Sequence, residues 1–374
     1  VLDFIQENTD KNCALNQTPP DNNQPQQEEE ENMKRLIPVL AAAAVALTGG
    51  LAQASEELFI YNWTEYTPPE LVAKFEAETG IKVTVDTYDS NETLLAKLQA
   101  GATGYDLVVP SQNFVPILVK EGLIQKVAVH ALPNFKNYKD EWKFPEWDPE
   151  QEYSSGWQWG TTSFSYNHEL YSGKGESLKE FFEPSEEVHG RLSIFQTPDE
   201  VISLANIYLG TEFCSEDPKV MKRIQDMLMK QKEAVVALNS ETMSDLLTSG
   251  EAIMTNHWSG YNRLGRLAGA PITYAYPKEG VVGWFDSLTV PTSAKNVENA
   301  RTFMNFMMDP VNMAMLTEQQ GYGDAIKGTD AYYSDEVKTA PEINPPKGLN
   351  VVFAPTCSPA AQALIDKVWT KVWQ

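Results

Sequence analysis

Residues 58–111 read LFIYNWTEYTPPELVAKFEAETGIKVTVDTYDSNETLLAKLQAGATGYDLVVPS. Three runs in this stretch are rich in apolar, aromatic and β-branched residues and predict strands: 58–63, 81–88 and 105–111. Helices are predicted between them, because one pattern begins at Pro68-Pro69 and ends at Gly80, and a second covers 92–101. Strands that alternate with helices form a parallel sheet with helices on its faces. The stretch therefore predicts an α/β fold.

The same alternation continues further along the chain. Strands are predicted at 191–195, 235–238, 252–258, 272–277 and 287–291, and helices at 197–210, 217–232, 241–250, 296–309 and 358–373. Residues 130–160 contain four Trp and no clear period, so we interpret them as a long aromatic connection to a second lobe. Ligands of open α/β sheets bind beyond the carboxyl ends of the strands, which here carry Trp63, Asp89-Ser90 and Ser111.

A change of composition at Met33 separates the start of the chain from the rest. Residues 1–32 are rich in Asn, Gln, Pro and Glu, cannot form a packed core, and are interpreted as a disordered or spurious extension. Two basic residues, an apolar run (36–47) and an A-x-A pattern (52–54) then follow in the order of a secretory signal peptide. A membrane anchor is disfavoured, because a bilayer needs about 20 residues. We therefore expect a cleaved signal at 33–54 and a periplasmic protein.

The charge balance limits the class of partner. The 374 residues carry 29 Lys and Arg against 52 Asp and Glu, a net charge of −23. Such a surface repels nucleic acid phosphates and anionic lipid and favours a cationic partner. The sequence holds no nucleophile-elbow, zinc-protease or phosphate-loop motif, and its four His are scattered. We expect no catalysis, no metal and no cofactor, although a hydrolase built from two carboxylates remains an alternative.

Aromatic and acidic residues occur together at three predicted strand ends. The strings are YNWTEY (61–66), NHWSGYN (256–262) and GWFDS (283–287). Aromatic faces attract ammonium groups, and a carboxylate adds a charge-assisted hydrogen bond. These strings therefore predict a site for an organic cation. The alternative is that their Trp residues are ordinary core aromatics, which is the commoner use of Trp.

An ordered set of motifs resembles one bacterial family. The motifs are the signal peptide, YNWTEYTPPEL, TYDSNETLLAKL, YDLVVPS, YPKEG (276–280), WFDSLTVP and the late GY (321–322). Together they resemble the spermidine/putrescine-binding proteins, which are periplasmic receptors of polyamine ABC importers. The resemblance implies a type II solute-binding fold of two lobes, each an open, mostly parallel sheet flanked by helices, that closes on its ligand. We expect lobe 1 at 55–161 plus about 287–316, and lobe 2 at 162–286 plus about 317–374.

The resemblance also implies the ligand residues and the partners. Carried over by position, the ligand residues are Trp63, Tyr66, Ser111, Glu200, Trp258, Trp284, Asp286 and Tyr322. Asp286 would clamp an ammonium beside Trp284, and Glu200 would hold another. The partners are a polyamine or related organic cation and an inner-membrane ABC permease, and the receptor is expected to be a monomer that binds no nucleic acid.

Three positions depart from the family pattern. Thr197 and Tyr261 stand where spermidine and putrescine binders, respectively, carry an acid, and Asn113 stands where an aromatic is usual. The pocket would then hold fewer carboxylates than either pattern, which leaves the polyamine open. Glu200 also has a second interpretation, because Thr197, Pro198 and Glu200 match a capping box that satisfies helix-end amides.

Two cysteines follow the signal segment, Cys214 and Cys357. An exported pair lies in an oxidising compartment, so we predict a Cys214–Cys357 disulfide, with two buried free thiols as the alternative. Three other functions stay open: a receptor for agmatine or a quaternary amine, a secreted carboxylate-dependent hydrolase, and an adhesion or structural protein.

Overall fold

The computed structural model describes residues 56–374. The predicted extension (1–32) and signal peptide (33–54) lie outside the described residues. Ten strands and twelve α-helices alternate through this part of the chain. The strands are β1 (Glu57–Trp63), β2 (Lys82–Tyr88), β3 (Leu107–Val108), β4 (Ser154–Asn167), β5 (Leu192–Ile194), β6 (Val235–Leu238), β7 (Met254–Trp258), β8 (Ile272–Tyr274), β9 (Val281–Thr289) and β10 (Val351–Phe353).

The helices follow the predicted strand–helix alternation. They are α1 (Pro69–Thr79), α2 (Asn91–Gln99), α3 (Val115–Lys120), α4 (Leu178–Phe182), α5 (Pro198–Leu209), α6 (Pro218–Gln231), α7 (Met243–Ser249), α8 (Ser259–Leu267), α9 (Val297–Met307), α10 (Pro310–Gln320), α11 (Asp335–Thr339) and α12 (Pro359–Trp373). The first helix begins and ends where its sequence signals predict. Pro69 is its first residue, and Gly80 ends it in the left-handed conformation with its N–H bonded to the Glu76 carbonyl.

The strands form one sheet in the order β2-β1-β3-β9-β4-β7-β5-β6, with β10 beside β9 and β8 beside β4. Strand β1 is parallel to β2 and β3, and β5 is parallel to β6 and β7. The predicted α/β class and the parallel pairing of the first three strands are therefore confirmed. The two middle strands, β4 and β9, run antiparallel to each other and join the two parallel groups.

The interpretation of 130–160 as a connection was wrong at its carboxyl end. Strand β4 begins at Ser154 and continues to Asn167, and all but one of its residues are buried. Alternation of polar and apolar residues appears only where one face of a strand is wet. A central strand lacks that pattern, so SSGWQWGTTSFSYN was not recognised. For the same reason β9 begins at Val281, earlier than the predicted 287–291 strand.

The core consists of clusters on both sides of the middle strands. One cluster draws on residues 58–157 and 285–326, and another on 164–282 and 365–372. Strand β4 supplies side chains to both, with Trp157 in the first and Phe164 in the second. A smaller cluster lies among residues 61–124. No helix of residues 56–374 combines the length and the apolar character that crossing a bilayer requires.

The predicted disulfide is confirmed. The Sγ atoms of Cys214 and Cys357 are bonded at 2.00 Å. Cys214 lies between α5 and α6, and Cys357 lies just before α12. The bond therefore fixes the start of the C-terminal helix to the second core cluster.

Candidate functional site

The candidate site is built on paired residues of β4 and β9. Gln158 is directly opposite Asp286, and Gly160 is directly opposite Trp284. Opposite residues of an antiparallel pair point to the same face of the sheet, and alternate residues of one strand share a face. This face of the two strands therefore carries Gln158, Gly160 and Thr162 from β4, and Trp284 and Asp286 from β9.

Asp286 is buried at 5% exposure and is held by the first part of the chain. Ser111 Oγ donates a 2.7 Å hydrogen bond to its Oδ1. Asn91 fixes Ser111 in turn, since its Nδ2 donates to Ser111 Oγ and its Oδ1 accepts from the Ser111 N–H, both at 3.0 Å. Burial raises the pKa of Asp286 to about 7; the neighbouring Ser111 and Tyr66 hydroxyls oppose this rise, and the Glu200 charge adds to it.

Aromatic rings surround this carboxyl group. The Tyr322 ring lies 4.9 Å from Trp284 and 5.7 Å from Tyr66, both nearly edge-to-face. Glycine at position 160 permits this arrangement, because a Cβ there would lie 2.5 Å from Cζ2 of Trp284 and 2.9 Å from Cδ1 of Tyr322. Tyr66 and Tyr322 are buried. The rings present π faces and edges close to a buried acid, which is the chemistry that attracts an ammonium group.

Glu200 makes a second acidic group of the site. Its Oε1 accepts hydrogen bonds from Thr162 Oγ1 at 2.5 Å and from Trp258 Nε1 at 2.9 Å. Its Oε2 accepts from Thr197 Oγ1 at 3.1 Å. Burial raises the pKa of Glu200 despite these three donors. The helix-cap interpretation was wrong: Thr197 makes no side-chain cap bond, and the Glu200 carboxylate is held by side chains and not by helix-end amides.

Trp63 and Trp258 are each connected to the site through a neighbouring residue, Trp63 through Tyr88, whose pKa is raised by burial and by the Asp286 charge, and Trp258 through its bond to Glu200. Trp63 is partly exposed, donates from Nε1 to the Val109 carbonyl at 2.9 Å, and has its ring 4.9 Å from Tyr88. Trp258 is partly exposed, and its ring lies 4.5 Å from Phe195. Thr162 pairs with Trp258 across β4 and β7 and also bonds Glu200. Glu200 therefore lies at one end of the row of β4 side chains, and Asp286 lies opposite the other end.

Comparisons with known proteins place the chain in a family. Residues 70–345 match the family model described as bacterial extracellular solute-binding protein. The chain belongs to this family. The solute-binding protein is 38% identical over 288 residues to the spermidine/putrescine-binding periplasmic protein of Escherichia coli (strain K12), covering 76% of this chain and 82% of the relative. It is 32% identical over 355 residues to the putrescine-binding periplasmic protein SpuD of Pseudomonas aeruginosa (strain UCBPP-PA14), covering 89% and 97%.

Solved structures agree with this assignment. The spermidine/putrescine ABC transporter substrate-binding protein PotD of Streptococcus pneumoniae superposes with a TM-score of 0.74 at 25% identity, covering 85% of the solute-binding protein and 98% of that chain. The Atu4243 GABA receptor superposes with a TM-score of 0.68 at 18% identity, covering 85% and 97%. The second likeness concerns the fold alone. Receptors with different ligands therefore share this architecture, and the ligand has to be argued from side chains.

The positions that depart from the family pattern supply no replacement acid. Thr197 donates to Glu200, and Tyr261 packs its ring 5.7 Å from Trp258. At Asn113 the backbone carbonyl accepts from Thr356 Oγ1 at 2.8 Å. Asp286 and Glu200 are therefore the two predicted acids that the residues of this face hold directly.

Four neighbours of the site were missed by sequence reasoning. They are Tyr88, Asn91, Gln158 and Thr162. Two of them belong to β4, which was not recognised as a strand in the sequence, so no strand register was available to place them. A weak signal existed at Gln158, because a single amide between two Trp residues is unusual in a buried run. Across residues 56–374, no group of three His, Cys, Asp or Glu could hold a metal ion.

Proposed function

We propose that this solute-binding protein is the periplasmic receptor of an ABC importer for a polyamine of the putrescine or spermidine type. The observation that carries the proposal is a buried Asp286 between aromatic rings. Neither Asp286 nor Glu200 has a Lys, Arg or His among the groups that set its pKa within the described chain. A buried carboxylate without a cationic partner is costly, and an ammonium ligand would supply that partner.

The row of side chains on β4 and β9 suits an extended cation. Asp286 faces Gln158, and Glu200 is bonded to Thr162, four residues further along β4. At the rise of a strand, this separates the two acidic positions by roughly 13 Å along the backbone. The Trp284 and Tyr322 rings lie between them, beside Gly160. We propose that one ammonium binds at Asp286, that the methylene chain packs on the rings, and that Glu200 with Trp258 receives the other end.

Binding is proposed to close the two lobes, 55–161 plus about 287–316 and 162–286 plus about 317–374. The proposed ligand residues come from both sides of these boundaries: Ser111 and Tyr66 from the first lobe, and Glu200 and Trp258 from the second. Closure would bury the amine and present both lobes to an inner-membrane ABC permease. The receptor is proposed to act as a monomer after removal of residues 33–54, and to perform no catalysis.

Calorimetry with a panel of amines tests this function. Putrescine, spermidine, agmatine and betaine are titrated into the purified mature protein, and thermal shift provides a second readout, since a ligand of the folded state raises the Tm. Micromolar or tighter binding of a polyamine supports the proposal. Tight binding of betaine without binding of any polyamine would instead favour the quaternary-amine alternative. The low number of carboxylates in the site is the observation that favours this alternative. Mass spectrometry of the recovered ligand distinguishes a receptor from a hydrolase, because a receptor returns the amine unchanged.

A further inference from the structure

Gln158 is the residue of the site that the proposed contacts do not yet use. It is 1% exposed. Neither its Oε1 nor its Nε2 has a hydrogen-bond partner among residues 56–374. A buried amide with both ends unpaired is rare in a native protein, because its desolvation is not compensated. Such a group calls for a partner that comes from outside the chain.

The position of Gln158 indicates where that partner binds. Its Cα pairs with that of Asp286 across β4 and β9, so both side chains stand on the same face and within reach of each other. Gly160, the next residue on that face, adjoins the Trp284 and Tyr322 rings. The amide is therefore directed at the place where an ammonium would meet Asp286.

Ammonium groups differ in the hydrogen bonds that they can donate. A primary ammonium has three N–H donors, whereas a quaternary ammonium has none. The three N–H groups point in tetrahedral directions, so one carboxylate can face at most two of them, and Ser111 already bonds Oδ1 of Asp286. At least one N–H group therefore needs another acceptor. The amide oxygen of Gln158 is an acceptor on the residue that pairs with Asp286, and the Tyr66 hydroxyl, which faces the same carboxyl group, is another.

We propose that Gln158 determines specificity by accepting a hydrogen bond from the ammonium bound at Asp286, which selects a primary ammonium and rejects a quaternary one. This inference rests on the proposed amine receptor function. A primary ammonium pairs the buried amide, whereas a trimethylated nitrogen leaves it unpaired and dry. In the ligand-free protein the unpaired amide lowers the free energy of unfolding. Gln158 therefore makes the folded protein less stable while it makes the site selective for primary ammonium groups.

The test compares Gln158→Leu with the wild type for two ligands, putrescine and its hexamethyl analogue, in which both nitrogens are trimethylated so that neither end offers an N–H group. We expect Gln158→Leu to weaken putrescine binding roughly tenfold or more. Its affinity for the hexamethyl analogue should stay the same or rise, and its ligand-free Tm should rise. Gln158→Met, which keeps the length without the amide, should behave in the same way and serves if Leu does not fold.

Gln231→Leu is the matched control. Gln231 is also 1% exposed with an unpaired Oε1, but it lies on α6 and its Nε2 bonds the Phe181 carbonyl at 2.8 Å. Its substitution should lower the Tm and leave both affinities unchanged. Two results would overturn the assignment of Gln158 alone. One is a putrescine affinity that is unchanged in both Gln158→Leu and Gln158→Met, and the other is an equal loss of affinity for both ligands together with a lower Tm. Absence of any amine binding by the wild type would overturn the receptor function itself.

Discussion

Ser111 Oγ donates a 2.7 Å hydrogen bond to Asp286 Oδ1, although 175 residues separate them in the chain. The backbones of the same two residues also form an isolated antiparallel bridge. The bond joins the carboxyl end of β3 to the middle of β9. The position of the principal acid of the site therefore depends on the packing of two distant parts of the chain.

Replacing Asp286 with Asn should weaken binding of a diamine by about 1.5–3 kcal/mol, since a hydrogen bond to a charged group is replaced by a neutral one. Titration calorimetry with putrescine measures the change. Asp148→Asn is the control, because Asp148 is equally buried but accepts backbone N–H bonds from Glu152, Tyr153 and Ser154. That control should lose stability and keep its affinity. Equal affinities of Asp286→Asn and the wild type would remove Asp286 from the site.

Binding of the amine should strengthen as the pH rises to about 7. Burial raises the pKa of Asp286 to about 7, and an ammonium binds the ionised carboxylate. At pH 6 only a minor fraction is ionised, so the affinity should be about tenfold lower than at pH 8. Asp286→Asn should show a smaller slope, to which Glu200 still contributes. A wild-type affinity that does not change between pH 6 and pH 8 would contradict this view.

The stability of the ligand-free protein should change with pH in the opposite sense. The pKa of Asp286 is higher in the folded chain than its value of about 4 when unfolded. Stability from the bound proton is full below pH 4 and is lost as the pH rises to about 7, by at most about 4 kcal/mol. Asp286→Asn should therefore melt above the wild type at pH 8 and close to it at pH 4. Thermal melts at both pH values make the comparison, and a variant that melts below the wild type at pH 8 would refute it.

Gly160→Ala should disturb the aromatic rings of the site. The new Cβ would lie 2.5 Å from Trp284 and 2.9 Å from Tyr322, and overpacking of this kind costs about 1–3 kcal/mol. We expect a lower Tm together with weaker amine binding. Gly265→Ala is the matched control, because Gly265 lies on α8 and a Cβ there would lie 2.6 Å from Ser244 and 2.8 Å from Ile272. That variant should lose stability only; a parallel loss of affinity would show that overpacking anywhere disrupts binding.

Reduction of the disulfide should destabilise the protein by about 2–5 kcal/mol, because the bond closes a long loop in the unfolded chain. Cys214 and Cys357 are 143 residues apart. Denaturant melts with and without a reductant measure the effect, and amine affinity under native conditions should stay unchanged. The double variant Cys214→Ser/Cys357→Ser should melt like the reduced wild type and show no response to reductant. A response in that variant would assign the effect to something other than this bond.

Local sequence signals predicted the outer parts of the fold but not its centre. Pro69 and Gly80 mark a helix by backbone chemistry that needs no tertiary context. Strand β4 has no such mark, because burial on both faces removes alternation. The resemblance to known receptors named residues that the fold brings to one face, including Asp286, Trp284 and Tyr322. Gln158 escaped, since its role depends on which residue β9 places opposite it, and no local pattern encodes that register.

Strand β4 is shared by two hydrophobic clusters, through Trp157 at one end and Phe164 at the other. Neither cluster can release this strand without exposing apolar surface of the other. An amine bound beside Gln158, Gly160 and Thr162 would contact that shared strand. Its binding would therefore stabilise both hydrophobic clusters against local unfolding. Once the ligand is present, amide protons in the elements on both sides of β4 should exchange more slowly than in the ligand-free protein, and by similar factors.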